Sequence, residues 1–142
     1  MGVPLRVLGL DLGTVRIGVA LSDPLGMMAS PETVISCTDR QHDIARLAEL
    51  VAATDAELVV VGMPTTLRGE HGIAAQQVDE FVAELAARLS IQVTTWDERM
   101  TTVVAERALL EAGKSREARR DLRDKVAATV MLQSYLDAHR SS

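Results

Sequence analysis

Apolar residues recur with two different periods along this chain, and the switches between them divide it into elements. Residues 5–11 (LRVLGLD) form a nearly continuous apolar run, as a strand covered on both faces requires. After Gly13-Thr14, large apolar Val15, Ile17, Val19 and Leu21 alternate with Arg16, Gly18, Ala20 and Ser22, which is the period of a strand over 15–22. The connection is short, so this strand lies antiparallel to the first. Asp23-Pro24-Leu25-Gly26 reads as a turn, and residues 29–36 return as a third strand ending near Cys37.

The period then changes. Asp39 can cap a helix over 40–53, in which Ile44, Leu47, Leu50 and Val51 fall on one stripe. A strand over 57–62 (ELVVVG) follows, and Pro64, Gly69 and Gly72 mark a loop. Helical spacing resumes over 73–89 through Ile73, Val78, Phe81, Val82 and Leu85, and 91–96 (IQVTTW) supplies another strand. A helix from Thr101 or Thr102 ends at Gly113, and a last one covers roughly 121–138. Three strands followed by alternating helix and strand predict an α/β fold. Its mixed five-stranded sheet combines an antiparallel meander with later strands parallel to the first, and helices pack on both faces.

At 142 residues and 47% hydrophobic content, the chain fits one domain spanning 1–142. Its apolar stretches are too short to cross a bilayer. Residues 1–12 lack the features of a secretory signal, and Arg6 stands where myristoylation wants Ser or Thr, so a cytoplasmic location is expected. The lone Cys37 can form neither an internal disulfide nor a thiolate cluster, and reads as a small buried residue. His42, His71 and His139 are too scattered for a zinc site, so any metal would be held by oxygen.

The net charge of −5 argues against a nucleic-acid partner until it is divided along the chain. Residues 1–98 hold 6 Lys/Arg against 14 Asp/Glu, whereas 99–142 hold 9 against 6, so the two parts differ in sign. The excess concentrates in Lys114, Arg116, Arg119, Arg120, Arg123 and Lys125, which together with Arg99 form a candidate nucleic-acid contact. A solvated helix face with i,i+4 charge pairs is the competing reading.

In a sheet of this kind ligands gather at the carboxyl ends of the parallel strands, which directs attention to Asp11, Gly62-Met63-Pro64 and Asp97-Glu98. Asp11 leaves its strand just before Gly13, where it can serve as a functional acid or bond turn amides. Glu98 falls on the side of Thr94 and Trp96, and Asp97 on the other, so Glu98 is the candidate to face Asp11. Either acid could instead cap the next helix. Asp124 shares a helical stripe with Ala127, Ala128, Met131 and Tyr135, and a carboxylate on a packed face needs a cation, a hydrogen bond or an ion pair with Arg120 or Arg123.

Three such acids converging would repel one another unless divalent cations held them together. Two magnesium or manganese ions about 4 Å apart would then support hydrolysis of a phosphodiester without a His or Ser nucleophile. The basic segment ends at Asp124 and its neighbour Lys125, which places attraction for a polyanion beside the candidate cutting site.

With these residues in place, the chain resembles the YqgF/RuvX family of the ribonuclease H-like superfamily. Its members are described as Holliday junction resolvases and as pre-16S rRNA nucleases. The resemblance covers nearly the whole sequence. It rests on Gly9-Leu10-Asp11-Leu12-Gly13 with Arg16-Ile17-Gly18-Val19-Ala20, on Val61-Gly62-Met63-Pro64, and on Asp97-Glu98-Arg99. Asp124 leading to Ala127-Ala128 and Leu132-Gln133-Ser134-Tyr135-Leu136 completes it. The resemblance implies a ribonuclease H-like fold and Asp11, Glu98 and Asp124 as catalytic metal-binding acids. It also implies a mobile basic loop around 113–120, and maturation of the 5′ end of small-subunit ribosomal RNA in the cytoplasm. Thr66 and Arg68 depart from the family pattern, which often has Asn and Asp there, while Gly69 and Gly72 match.

The expected function is a metal-dependent endonuclease acting on structured RNA, with branched DNA as the alternative substrate. Resolving a junction takes two symmetric cuts and hence normally a homodimer. An ATP-binding module is the alternative of another class, since Asp11-Leu12-Gly13-Thr14 resembles the first phosphate loop of actin-like proteins; the absence of a second such turn weighs against it. A noncatalytic RNA-binding protein is a third. Only three aromatics, Phe81, Trp96 and Tyr135, are present, which leaves no obvious base-stacking platform and favours recognition of backbone or shape.

Overall fold

Val7–Leu12 (β1) pairs antiparallel with Arg16–Ser22 (β2), and β2 pairs antiparallel with Ala29–Ser36 (β3). The computed structural model describes residues 5–64, 72–98 and 116–139, with the side chains of 116–124 outside the description. Arg40–Thr54 forms α1, Leu58–Met63 β4, Ile73–Arg88 α2 and Gln92–Asp97 β5. Arg116–Ala138 forms the last described helix, here α3. β4 runs parallel to both β1 and β5, which gives one sheet in the order β3-β2-β1-β4-β5.

The meander and the mixed sheet agree with the sequence pattern, and element ends move by one or two residues. One boundary differs more. α3 begins at Arg116, five positions before the expected 121, so positions 116–120 are helical and the basic loop expected around 113–120 is corrected over that part. Arg, Ala and Glu are strong helix formers, and Arg116-Glu117-Ala118-Arg119-Arg120 sustains a helix with no apolar stripe. The helix expected between Thr101 and Gly113, together with Thr66, Arg68, Gly69, Arg99 and Lys114, lies outside the described residues.

Alternation along the strands sorts the core into two layers. Leu8, Leu10, Ile17, Val19, Val59 and Val61 face α1 and α2, where they meet Ile44, Leu47, Val51, Val78, Phe81 and Leu85. Val7, Ala20, Leu58 and Val60 face the other way and meet Ala128, Met131, Leu132 and Leu136 of α3. β1 and β4 are buried on both faces, which explains their unbroken apolar runs. Asp39 accepts from His42 N at 2.8 Å and so caps α1. Pro31 sits on the edge strand β3, where a missing N–H is tolerated, beside the register shift at Val19/Ala20.

α3 packs closely. A Cβ built on Gly9 of β1 would lie 2.9 Å from Leu132 Cβ, so only glycine permits this approach. Two consecutive residues then tie the helix to opposite margins of the sheet. Gln133 accepts from Ala29 N at 2.8 Å and donates to Met27 O at 3.0 Å, while Ser134 Oγ accepts from Trp96 Nε1 at 3.0 Å.

Candidate functional site

Asp11 is the penultimate residue of β1 and, by alternation from Val7 and Gly9, falls on the face covered by α3. Glu98 follows β5 directly. β4 runs between β1 and β5, so the two acids start two strand spacings apart, about 10 Å. They nevertheless meet, and their side chains share a hydrogen bond. Gly62 of β4 makes this possible: a Cβ there would lie 3.2 Å from Glu98 Oε1 and 3.5 Å from Met131 Cγ. Glu98 therefore reaches over a strand position that carries no side chain.

The electrostatics follow from this geometry. Burial first, then the charge of Asp11, the hydrogen bond with Asp11 and the charge of Asp97, push the Glu98 carboxyl from an ordinary 4.5 up to about 7. Below that value one proton is held between the two carboxylates, with Glu98 donating to Asp11. A proton shared by two acids marks a place where a cation can substitute for it. Among the described residues both donors are carboxylates, which suit a divalent cation.

Asp124 is placed by the backbone alone. It occupies the position one turn before Ala128 and two turns before Met131, the residue that closes over Gly62. Its side chain lies outside the described residues, and among the described residues no third His, Cys, Asp or Glu joins the pair as a metal-holding group. Arg116, Arg119, Arg120 and Arg123 occupy helical positions three and four apart in the first turns of α3, and Lys125 follows as a half-buried residue. Cys37 is half-buried, and burial raises its thiol pKa, which disfavours the thiolate. A cavity of about 320 Å³ opens between Thr14, Thr38, Gln77 and Phe81, toward α1 and α2, and neither Asp11 nor Glu98 lines it.

Sequence reasoning missed two features of this region. Gly62 belongs to the Val61-Gly62-Met63-Pro64 motif, but its part in letting Glu98 cross β4 depends on strand order. The ring of Trp96 in β5 meets those of Tyr135 and His139 at the C-terminal end of α3, about forty residues away in sequence. A count of three aromatics in the sequence does not show that two of them, Trp96 and Tyr135, meet.

Comparison with known proteins places this geometry. The family profile of RuvX, described as Holliday junction resolvase, matches residues 5–138. A Moorella thermoacetica protein is 48% identical over 133 residues, covering 94% of this chain and 95% of that one. A Clostridium beijerinckii protein is 43% identical over 133 residues, covering 94% and 96%. Both bear the provisional name pre-16S rRNA nuclease. Among solved structures, Thermus thermophilus RuvC in complex with a Holliday junction substrate superposes with a TM-score of 0.62 at 17% identity, covering 97% of this chain and 98% of that one. The fowlpox virus Holliday junction resolvase gives a TM-score of 0.56 at 11% identity, covering 94% and 99%. At such identities the likeness is one of fold, and that fold is ribonuclease H-like. The match over almost the whole length, with relatives above 40% identity, assigns the chain to the RuvX family.

Proposed function

We propose that this protein is a divalent-metal-dependent endonuclease that hydrolyses phosphodiester bonds, with Asp11, Glu98 and Asp124 as its acids, and that it trims the 5′ end of pre-16S rRNA. The meeting of Asp11 and Glu98 over Gly62 carries the chemical part of this reading. The names of the full-length relatives support the RNA substrate.

Asp11 and Glu98 would hold the cation between them, with Asp124 completing the set from α3. A bound pair of magnesium or manganese ions would activate water and offset charge developing on the leaving oxygen. The chain's own acids do the rest. To hold a cation, Glu98 would have to release the proton it shares with Asp11, and both carboxylates would then face the cation as anions. The basic positions Arg116, Arg119, Arg120, Arg123 and Lys125, with Arg99 and Lys114, would draw the polyanion toward this end of the sheet. The site belongs to a cytoplasmic nuclease in this reading.

The family description favours a second substrate, the four-way DNA junction, for which two copies of the chain would have to present paired sites. One experiment separates the two. Purified protein is assayed on a precursor ribosomal RNA fragment and on a four-way junction, each with magnesium and with manganese, beside the Asp11→Asn variant. Metal-dependent cleavage of the RNA that Asp11→Asn abolishes supports the RNA reading. Cleavage of the junction alone moves the assignment to resolvase, and equal cleavage by wild type and variant rejects both.

A further inference from the structure

The rings of Trp96, Tyr135 and His139 are held in a fixed arrangement. Trp96 donates from Nε1 to Ser134 Oγ at 3.0 Å and meets Tyr135 edge to face, with centroids 5.5 Å apart at 89°. It meets the His139 ring at 5.3 Å and 69°. Tyr135 and His139 stack nearly parallel, 4.0 Å apart at 23°. The imidazole is pinned as well, with Nδ1 2.8 Å from Tyr135 O. One face of His139 is thus covered by Tyr135, and the residue as a whole remains exposed.

The cluster also lies in line with the acids. Trp96 is paired with Gly62 in the sheet and points to the same face as Glu98, two residues on. Met131 closes over Gly62, and His139 lies two turns further along α3, roughly 12 Å by helical rise. That distance corresponds to about three or four stacked nucleotides. A pre-ordered, solvent-exposed ring that Tyr135 stacks on one side, on the same face of the sheet as Glu98, has the chemistry of a platform for an unpaired base.

We propose that the face of His139 turned away from Tyr135 is a stacking subsite for an unpaired nucleobase of the substrate strand, with Trp96 and Tyr135 as its rigid backing. This rests on the nuclease reading for its substrate, but its test does not depend on cleavage. It assigns to the strand beside the scissile bond a single-stranded stretch, contacted through its bases as well as its phosphates.

The chain has one tryptophan, Trp96, so its emission reports on this cluster alone. Binding of a short single-stranded oligonucleotide is measured with chelator present, so that no strand is cut, against the same oligonucleotide carrying abasic sites and against its duplex. The intact strand is expected to change Trp96 emission and to bind at least about five-fold tighter than the abasic strand, the lower end of the stacking range. His139→Ala should erase that difference without moving the thermal midpoint, and His139→Phe should restore it. Equal affinity for intact and abasic strands, or a base preference that His139→Ala leaves untouched, overturns the subsite and reduces the cluster to a fastening of α3. A base preference that depends on His139, in a protein that cleaves nothing when metal is added, keeps the subsite and sinks the nuclease reading instead.

Discussion

Glu98 Oε1 stands 3.2 Å from the point where a Cβ on residue 62 would be, so the candidate catalytic acid and the strand beneath it compete for one position. Gly62→Ala is therefore expected to displace Glu98 by a few tenths of an ångström and loosen its contact with Asp11. Cleavage should fall about ten-fold, since misplacement by ~1 Å costs about a hundred-fold. The check is a rate measurement paired with a circular dichroism spectrum. An unimpaired rate would mean that the meeting of Glu98 and Asp11 does not matter to the reaction.

The two acids should not be interchangeable with their amides. Asp11→Asn and Glu98→Gln each keep the shape of the site and remove a negative charge needed to hold a cation. Each is expected to lower cleavage by at least about a hundred-fold. Asp11→Asn should also bring the Glu98 pKa down, because it removes a neighbouring charge and puts there an amide N–H that can donate to the ionised Glu98. Carboxyl titration by NMR on the variant tests this, and an unmoved Glu98 would contradict it.

The raised Glu98 pKa fixes a direction for stability in the metal-free protein. Between the ordinary 4.5 and about 7, the unfolded chain gives up this proton while the folded chain keeps it. The contribution is present at low pH and is lost as pH rises through that window. Asp23 has the opposite sign, because the Met28 and Met27 amides hold its pKa below 3.8, so its effect lies at more acid pH. Urea unfolding with chelator from pH 5 to 8 should lose a stability decline in Glu98→Gln. A wild-type slope preserved in that variant would be decisive against the assignment. Magnesium should bind more tightly as pH passes 7, releasing a proton measurable by calorimetry in two buffers of different ionisation heat.

Gly9→Ala should destabilise the fold without touching the acids. Its Cβ would sit 2.9 Å from Leu132 Cβ, and overpacking of this kind costs ~1–3 kcal/mol. A lowered thermal midpoint is the expected result.

Much of this architecture could be read in the chain because the information is local. Val59, Val60 and Val61 spell a strand buried on both faces, and Asp39 announces α1 through a cap that needs only His42 N. The start of α3 could not be read from apolar spacing, because 116–121 carries charge and alanine with no stripe to follow. Alternation suffices to turn Glu98 and Asp11 toward the same face. That they converge is legible from the strand ends; the route is not, since it requires β4 to lie between β1 and β5 and to present glycine at the crossing. The ring cluster was hidden for the same reason: Trp96 and Tyr135 are far apart in sequence and meet only because α3 crosses the sheet beside β5.

The paired anchors at Gln133 and Ser134 have a mechanical corollary. Adjacent residues on one helix grip the first turn of the outermost strand on one flank and the tryptophan of the outermost strand on the other. Sliding the helix along its axis would strain both attachments at once, so α3 behaves as a crossbar bolted toward its C-terminal end. Position 124 rides on the same bar, about two and a half turns from the bolts. Cutting either attachment should slacken the acid at the far end, even though neither Gln133 nor Ser134 comes near the bond to be broken.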